Sequence, residues 1–576
     1  MESITAAADP QPRSKIKVDI AIGAALALLS TLLGWHFIGG RAIHLGSPLD
    51  YSGDGLFLLA SIQHMIEGGW VYVSSRLGAP FGSVLYDYPV PDSGTLLVLK
   101  IAGKAFHSAG IAYNLYYLVG FALDAIASYA VLRYLGVRRA LAFAGAFAYT
   151  MLPFHFMRIG HLFYTWYFGA PIFTWYAFRV YRGDLRFSGR RGLLDTIALL
   201  VLTTFGVYYA FFGAMAIAAA TLVRVLKDGT IASARTGIVA CTLLLAGVVA
   251  NVIPTLAYEH SHGINNEVAA RIPSESETYG MKVAQLLLPW PGHRAAPLAR
   301  LTAKYNQTFP LVNENQTASL GLLGSVGFIG LLVILLGPRR GETLPLLAAL
   351  TLVFVLFCSI GGLSSIFAML ISAKIRAWNR ASVFVAFFAI ASAVILLQRA
   401  TQSWKRPGSL AALSVALCAF VVWDQTPATP VVPFEQSHAN YENDKSFGAA
   451  VERVLPVGST VYQLPYMAFP EVPPLNDLAA YDQFAGYLNT TALRWSYGGM
   501  KGREGDLFFR QLATQPVAQQ VAAIREKGFS AVWVDRRGYA DRGKQLEADL
   551  AKELGHGPAL ISQNGNQVLF IIQPSP

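Results

Sequence analysis

The sequence predicts a polytopic α-helical membrane protein that ends in a soluble α/β domain, and three observations carry that prediction. Hydrophobic residues make up 54% of the 576 positions and charged residues 14%, with a mean hydropathy of +0.43, which is too apolar for a soluble chain of this length. Apolar runs near the roughly 20 residues that a helix needs to cross a hydrocarbon core recur as far as Trp423. Beyond it Pro427, Pro430 and Pro433 form a linker, and the rest of the chain has ordinary soluble composition.

Residues 1–17 are polar, with Arg13, Lys15 and Lys17 ahead of the first apolar run and no small-residue cleavage site after it. They read as the cytoplasmic start of an uncleaved signal anchor. A transmembrane body over 18–425 follows, with spans expected near 18–38, 112–134, 138–155, 162–180, 192–208, 210–226, 235–255, 318–337, 343–360, 381–398 and 408–424, about eleven in all. The stretch 192–226 reads as two short helices joined at Tyr208-Tyr209 or as one long helix, and loop charge favours the pair. With eleven spans the inside connections are short and basic, as the positive-inside rule asks. They hold Arg133, Arg138 and Arg139; Arg179, Arg182, Arg186, Arg190 and Arg191; Arg224, Lys227 and Arg235; Arg339 and Arg340; Arg399, Lys405 and Arg406. The net charge of +11 is therefore mostly a topology signal, and no basic patch with interleaved aromatics points to nucleic acid. Cys241, Cys358 and Cys418 all lie in apolar runs, which indicates neither a disulfide framework nor a cysteine zinc site.

The outer segments differ in kind. A first long loop, 39–111, carries two expected interfacial helices, 54–68 and 94–107, separated by Pro80, Pro89 and Pro91. A second, 256–317, contains Glu259, His260, His262, Glu267, Arg271, Glu275, Glu277, Tyr279 and His293, with an amphipathic turn at 283–288. The tail, 426–576, reads as a separate outer domain with helices at 444–454, 515–527 and 541–554 and strands at 459–464, 529–535, 558–562 and 567–573. It contains no dinucleotide fingerprint, phosphate loop or nucleophile elbow.

Chemistry is sought in those outer segments. Asp54, between Gly53 and Gly55, places a carboxylate where lipid meets water, and an interfacial pocket would raise it toward general-base range; the competing reading is a helix cap. Asp87, between Tyr86 and Tyr88, is eligible as a second active-site acid or an acceptor-sugar contact, whereas Asp92 before Ser93-Gly94 reads as a cap. His155, Arg158 and His161 fall at spacings of three, so one helical face presents an arginine flanked by two histidines. That suits an anion better than a metal, although interfacial snorkelling beside Tyr164 and Trp166 gives the same pattern. Arg376 and Arg380, four apart with Lys374 nearby, set positive charge on the outside against the general bias. They form a clamp for a phosphate at headgroup depth, or a simple headgroup anchor. No metal site is assigned, since Glu259-His260-Ser261-His262 lacks further ligands.

A long first outer loop with an acid, a many-helix body, basic residues at the outer ends of later helices and an outer soluble tail together resemble the class C (GT-C) glycosyltransferases. The stretches from Arg376 to Arg380 and from Phe529 to Asp541 also look like the YfhO-like or sugar-translocase-like group of bacterial membrane proteins. The resemblance implies a polyprenyl-phosphate-linked sugar donor, Asp54 as base, and Arg376 and Arg380 as phosphate contacts. Arg158, His155, His161 and Glu259 are further substrate-site candidates, and the second acidic position stays open between Asp87 and Glu259. The expected activity is an inverting transfer of sugar to a glycan, lipid or protein acceptor of the cell envelope. It would take place at the outer face of the bacterial cytoplasmic membrane, with the tail on that side. Dependence on a divalent cation is left open, and no other cofactor is implied. A lipid-linked sugar transporter or flippase would need polar residues at mid-membrane and broken helices in matched halves, whereas Asp124, Pro171 and Pro254 form no symmetric pair. A non-catalytic envelope-assembly protein would leave Asp54 and the arginines replaceable.

Overall fold

The computed structural model describes residues 13–40, 44–338, 341–404, 406, 408–431 and 433–572. The start of the N-terminal segment and the expected inside charges Arg339, Arg340 and Lys405 lie outside those residues. Helices stand at each place the apolar runs mark: Arg13–Ile38, Ala109–Tyr134, Arg139–Thr150, Gly169–Arg182, Gly189–Leu202, Val207–Asp228, Arg235–His262, Gly321–Leu336, Thr343–Cys358, Ser382–Ala400 and Ser409–Gln425. Among the described residues 5 helices are long and apolar enough to cross a membrane, and three shorter apolar ones accompany them. The protein is a multi-pass membrane protein. Close helix approach relies on small residues: a Cβ at Gly327 would strike the Ala389 carbonyl.

The ambiguous stretch is two helices, and the break lies at Thr203–Gly206, ahead of Tyr208-Tyr209. Thr203 and Thr204 turn their hydroxyls back onto the carbonyls of Leu200 and Val201, at 2.6 and 2.7 Å, which competes with helix continuation. Gly206 then takes φ +98, a conformation that favours glycine. Asp92 caps the helix that restarts there, accepting from the N–H groups of Gly206 and Val207 at 3.0 and 2.9 Å. It precedes Ser93–Phe106 but gives that helix no side-chain cap.

Contacts at the helix ends define two faces. Asp19 in the first helix takes Arg133 and Arg139 at 3.0 and 2.8 Å. Gln398 receives the Arg138 N–H at 2.6 Å and donates to the Gly136 carbonyl at 3.1 Å. One basic end of the bundle is thereby gathered around the C-terminal end of Ser382–Ala400, while Arg380 precedes that helix at the other. Its 19 residues, at about 1.5 Å each, separate the two ends by about 28 Å, close to the thickness of a hydrocarbon core.

The tail folds around a five-stranded sheet in which β3 (Thr460–Leu464) lies parallel to β4 (Arg494–Trp495) and to β5 (Phe529–Asp535). β5 continues antiparallel to β7 (Gln567–Ile571), which pairs with β6 (Leu560–Ile561) (β1, Val73–Ser74, and β2, Ser83–Val84, form a small hairpin in the first loop). Every residue of β3 is buried, as expected of a strand covered on both faces. The tail packs against the membrane part. The first loop pairs with its edge: Trp495 N–H donates to Arg76 O at 2.7 Å, Ala79 N–H to Trp495 O at 2.9 Å, and Gly78 N–H to Tyr497 O at 2.8 Å. One apolar core runs from Leu26 through Phe469, Tyr481 and Phe484 to Leu569, and a second, smaller one around Phe509, Val532 and Phe570 lies within the tail.

Candidate active site

At the bundle end opposite the basic connections, the helix Gly53–Ile66 presents Asp54 in its first turn. One turn on, Phe57 fixes this helix against the tail, with ring centroids 5.6 Å from Phe469 and 5.4 Å from Tyr481; such aromatic packing adds to simple burial. The Asp54 side chain keeps 55% of its surface open. Burial first, then the charges of Glu471 and Glu314, raise its carboxyl above the usual aspartate range against the pull of Arg380 and Arg376.

His161 Nε2 lies 3.4 Å from Asp54 Oδ2 and 3.8 Å from Glu314 Oε1. Burial and the nearby Arg158 lower its ring to about 4, so it is neutral at pH 7. Glu314, in the 3-10 turn Asn313–Thr317, joins the arginines: Arg158 Nη1 is 2.8 Å and Arg380 Nη2 3.9 Å from its carboxylate. Burial works upward on Glu314, but Arg158, Arg380 and His161 outweigh it and hold the carboxyl at about 2. Arg158 also donates to Thr317 Oγ1 at 3.1 Å. Arg380 donates to Tyr164 Oη at 2.5 Å and lies over the rings of Tyr164 and Tyr208, 3.9 and 4.6 Å from their centroids. That stacking suits a guanidinium held out of water, and among the described residues its Nε has no hydrogen-bond partner.

Arg376 completes the group, with Nη1 2.9 Å from Glu275 and Nη2 3.7 Å from Glu471. Glu471, from the tail, also receives Arg271 at 2.6 Å and the Tyr88 hydroxyl at 3.4 Å. The cluster thus interleaves four guanidiniums (Arg158, Arg271, Arg376, Arg380) with four carboxylates (Asp54, Glu275, Glu314, Glu471). Asp54 is the open one, set to take a proton, and the guanidiniums are set to hold an anion.

Asp54, Arg158, His161, Arg376 and Arg380 are therefore brought together, and three other candidates are not. Asp87 is buried and chelated by Arg503, with both bonds 2.7 Å, and accepts from Asn265 at 3.0 Å. It staples the first loop to the tail and makes no described contact with the Asp54 group. His155 is buried among the helices, its Nδ1 3.4 Å from Asp124 and its ring stacked on Phe121. It does not share a helical face with Arg158 and His161, because the helix ends at Thr150 and Pro153 starts a separate four-residue turn. Glu259, near the end of Arg235–His262, enters no described ion pair or hydrogen bond. Arg376 likewise precedes the 3-10 turn Trp378–Ala381, so the two arginines converge without one helical face, and Lys374 is exposed. Among the described residues no group of three or more His, Cys, Asp or Glu side chains is arranged to hold a metal ion.

Glu314 and Glu471 carry no local signature that sequence reasoning could have used. Glu314 is a lone acid in a polar loop, and Glu471 sits in the tail far along the chain. Arg271 and Glu275 were visible only as charges of the second loop.

No family model matches the chain, and no curated protein sequence gives a significant match. Among solved structures it is similar to ArnT from Cupriavidus metallidurans bound to undecaprenyl phosphate, with TM-score 0.54 and 12% identity over 98% of both chains. Looser likenesses, with TM-scores of 0.48 and 0.44, are to the mycobacterial arabinofuranosyltransferase AftD (15% identity, 89% of this chain and 35% of that one) and to the Archaeoglobus fulgidus oligosaccharyltransferase (12%, 93% and 70%); these carry no argument. At 12% identity the ArnT likeness shows the fold alone. That fold is the GT-C fold, and nothing in these likenesses bears on the narrower YfhO-like group.

Proposed function

We propose that this GT-C-fold protein is an inverting glycosyltransferase that moves a sugar from a polyprenyl-phosphate donor to an acceptor hydroxyl at the outer face of the bacterial cytoplasmic membrane. The observation that carries the reading is the meeting of Asp54 with Arg158, Arg376 and Arg380 in one cluster at the end of the bundle away from its basic connections. Asp54 takes the proton of the acceptor hydroxyl, whose oxygen bonds to the anomeric carbon as the bond from that carbon to the phosphate oxygen breaks. The polyprenyl phosphate departs with the bonding electrons, and its charge develops beside the guanidiniums, where preorganised donors stabilise it most. One displacement inverts the anomeric centre. In this reading the cluster sits at headgroup depth, so the lipid tail of the donor stays in the bilayer while its phosphate reaches Arg376 and Arg380. ArnT was solved with undecaprenyl phosphate bound, and that precedent supports a lipid of this class for a chain sharing its fold.

The test is transfer from a panel of polyprenyl-phosphate sugars by the purified full-length protein in nanodiscs, read as labelled product and its anomeric configuration. Asp54→Asn should keep the melting temperature and donor binding yet lose activity by about 10²–10⁴-fold, the usual weight of a general base. Wild-type turnover in that variant would reject Asp54 as the base. Vectorial movement of donor lipid without any product would favour a transporter.

A further inference from the structure

We infer that Glu471 is a positioning residue that competes with the donor phosphate for Arg271 and Arg376: a carboxylate lent by the tail that a polyprenyl phosphate has to displace from them. The inference rests on the sugar-transfer reading above and assigns that site an internal competitor. A carboxylate and a phosphate offer a guanidinium the same paired-oxygen geometry, so one can stand in for the other. Glu471 Oε1 alone gathers Arg271 at 2.6 Å, the Tyr88 hydroxyl at 3.4 Å and Arg376 at 3.7 Å. A phosphate reaching Arg376 meets negative charge on both flanks, Glu275 at 2.9 Å and Glu471, and one of them has to give way.

The two acids are anchored differently. Glu275 opens the short helix Glu275–Thr278, whose Glu277 receives the Ser365 hydroxyl at 2.6 Å and the Gly361 N–H at 3.1 Å. Glu275 is thus fixed to the membrane part. Glu471 arrives on a stretch of the tail with no helix or strand between Leu464 and Phe484. Its backbone is held by its own N–H donating to the Tyr481 hydroxyl at 3.2 Å and by Lys501 donating to its carbonyl at 3.3 Å. It also adopts φ +54, a left-handed conformation uncommon for a residue with a side chain. Such placements collect where geometry serves a site. Relaxation of this residue would withdraw the carboxylate from the arginines without disturbing a regular element.

Full-length protein in nanodiscs, titrated with undecaprenyl phosphate, tests this. Glu471→Gln removes the competing charge and keeps the side-chain size, so the phosphate lipid should bind about tenfold tighter. In turnover the donor KM should fall and kcat should not rise. The pH profile reports the Glu471 charge at Asp54, and the fall in donor KM is the readout that a purely structural bridge would not give. Asp54 is faced by His161, Glu314, Arg376, Arg380, Asp50, Tyr88, Tyr113 and Tyr481 as well as Glu471. Removing the Glu471 charge alone should shift the acid limb of kcat/KM to lower pH. Unchanged or weaker lipid binding in a normally melting Glu471→Gln protein overturns the inference. Should that variant fold poorly, Glu471→Asp, one methylene shorter, is expected to bind the lipid more tightly too, and unchanged affinity there overturns the inference equally. Arg376→Ala and Arg380→Ala separate the two levels. If they weaken lipid binding while Glu471→Gln does not strengthen it, only the role of Glu471 falls; if neither weakens it, the donor reading itself falls.

Discussion

A carboxylate serves as a base only while it is charged, and the surroundings of Asp54 set the pH at which that holds. Burial and the charges of Glu471 and Glu314 push its carboxyl upward, so the protonated, inactive form persists to higher pH than in a free aspartate. kcat/KM is therefore expected to fall as pH drops through that raised value, with an acid limb above the ordinary aspartate pKa of about 3.9. A rate profile flat down to that pH would remove Asp54 from the base role. His161, held down to about 4 by burial and Arg158, is neutral at pH 7. Glu314 stays charged throughout, which keeps Arg158 and Arg380 compensated. The glycine-flanked Asp54 and the outward Arg376 and Arg380 stood out in the sequence because each breaks a local rule. Glu314 and Glu471 break none, and only the fold reveals what they face.

At the scale of elements, the hairpin region of the first loop is joined to the tail by Asp87 and Arg503. Asp87 is buried, and breaking a buried pair by removing one partner costs about 3–5 kcal/mol. Arg503→Ala is therefore expected to lower the melting temperature by several degrees and to leave donor KM within a few-fold of wild type. Asp87→Ala should do the same, and the double variant should lose less than the sum, because the two residues share one interaction. A loss of kcat in Asp87→Asn as deep as that of Asp54→Asn would instead return Asp87 to the chemistry. Helix positions were legible because hydrophobic runs are long and local, down to the division of 192–226. Partners across elements were not. Asp92 looked like a cap for the helix it precedes, and its carboxylate caps Val207–Asp228, a helix that its own neighbourhood in sequence does not contain.

Across the whole molecule, the tail and the membrane part share one core, so loosening their seam should be felt at the site. Phe57 sits on that seam, one helical turn from Asp54, against Tyr88, Phe469, Tyr481 and Phe484. Phe57→Ala removes the ring and is expected to destabilise the protein by up to about 3 kcal/mol. Hydrogen exchange over 465–483 should accelerate more than exchange in Ser382–Ala400; equal change in both would mean that the tail docks independently of this ring. The break in composition after Trp423 marks where the tail begins. Soluble composition reports only that a segment meets water on much of its surface. The aromatic residues that face the first loop are spread through the tail singly, and no periodicity marks them as an interface.

The lending of Glu471 by the tail has a consequence for biogenesis. Arg158, Arg376 and Arg380 find Glu314 and Glu275 within the membrane part, and both of those acids precede the tail in sequence. Arg271 takes its ion pair from Glu471, so it lacks that partner until the stretch around Glu471 has been made and has docked. Docking of the tail therefore settles the charge of one arginine and leaves the other three with partners they already had.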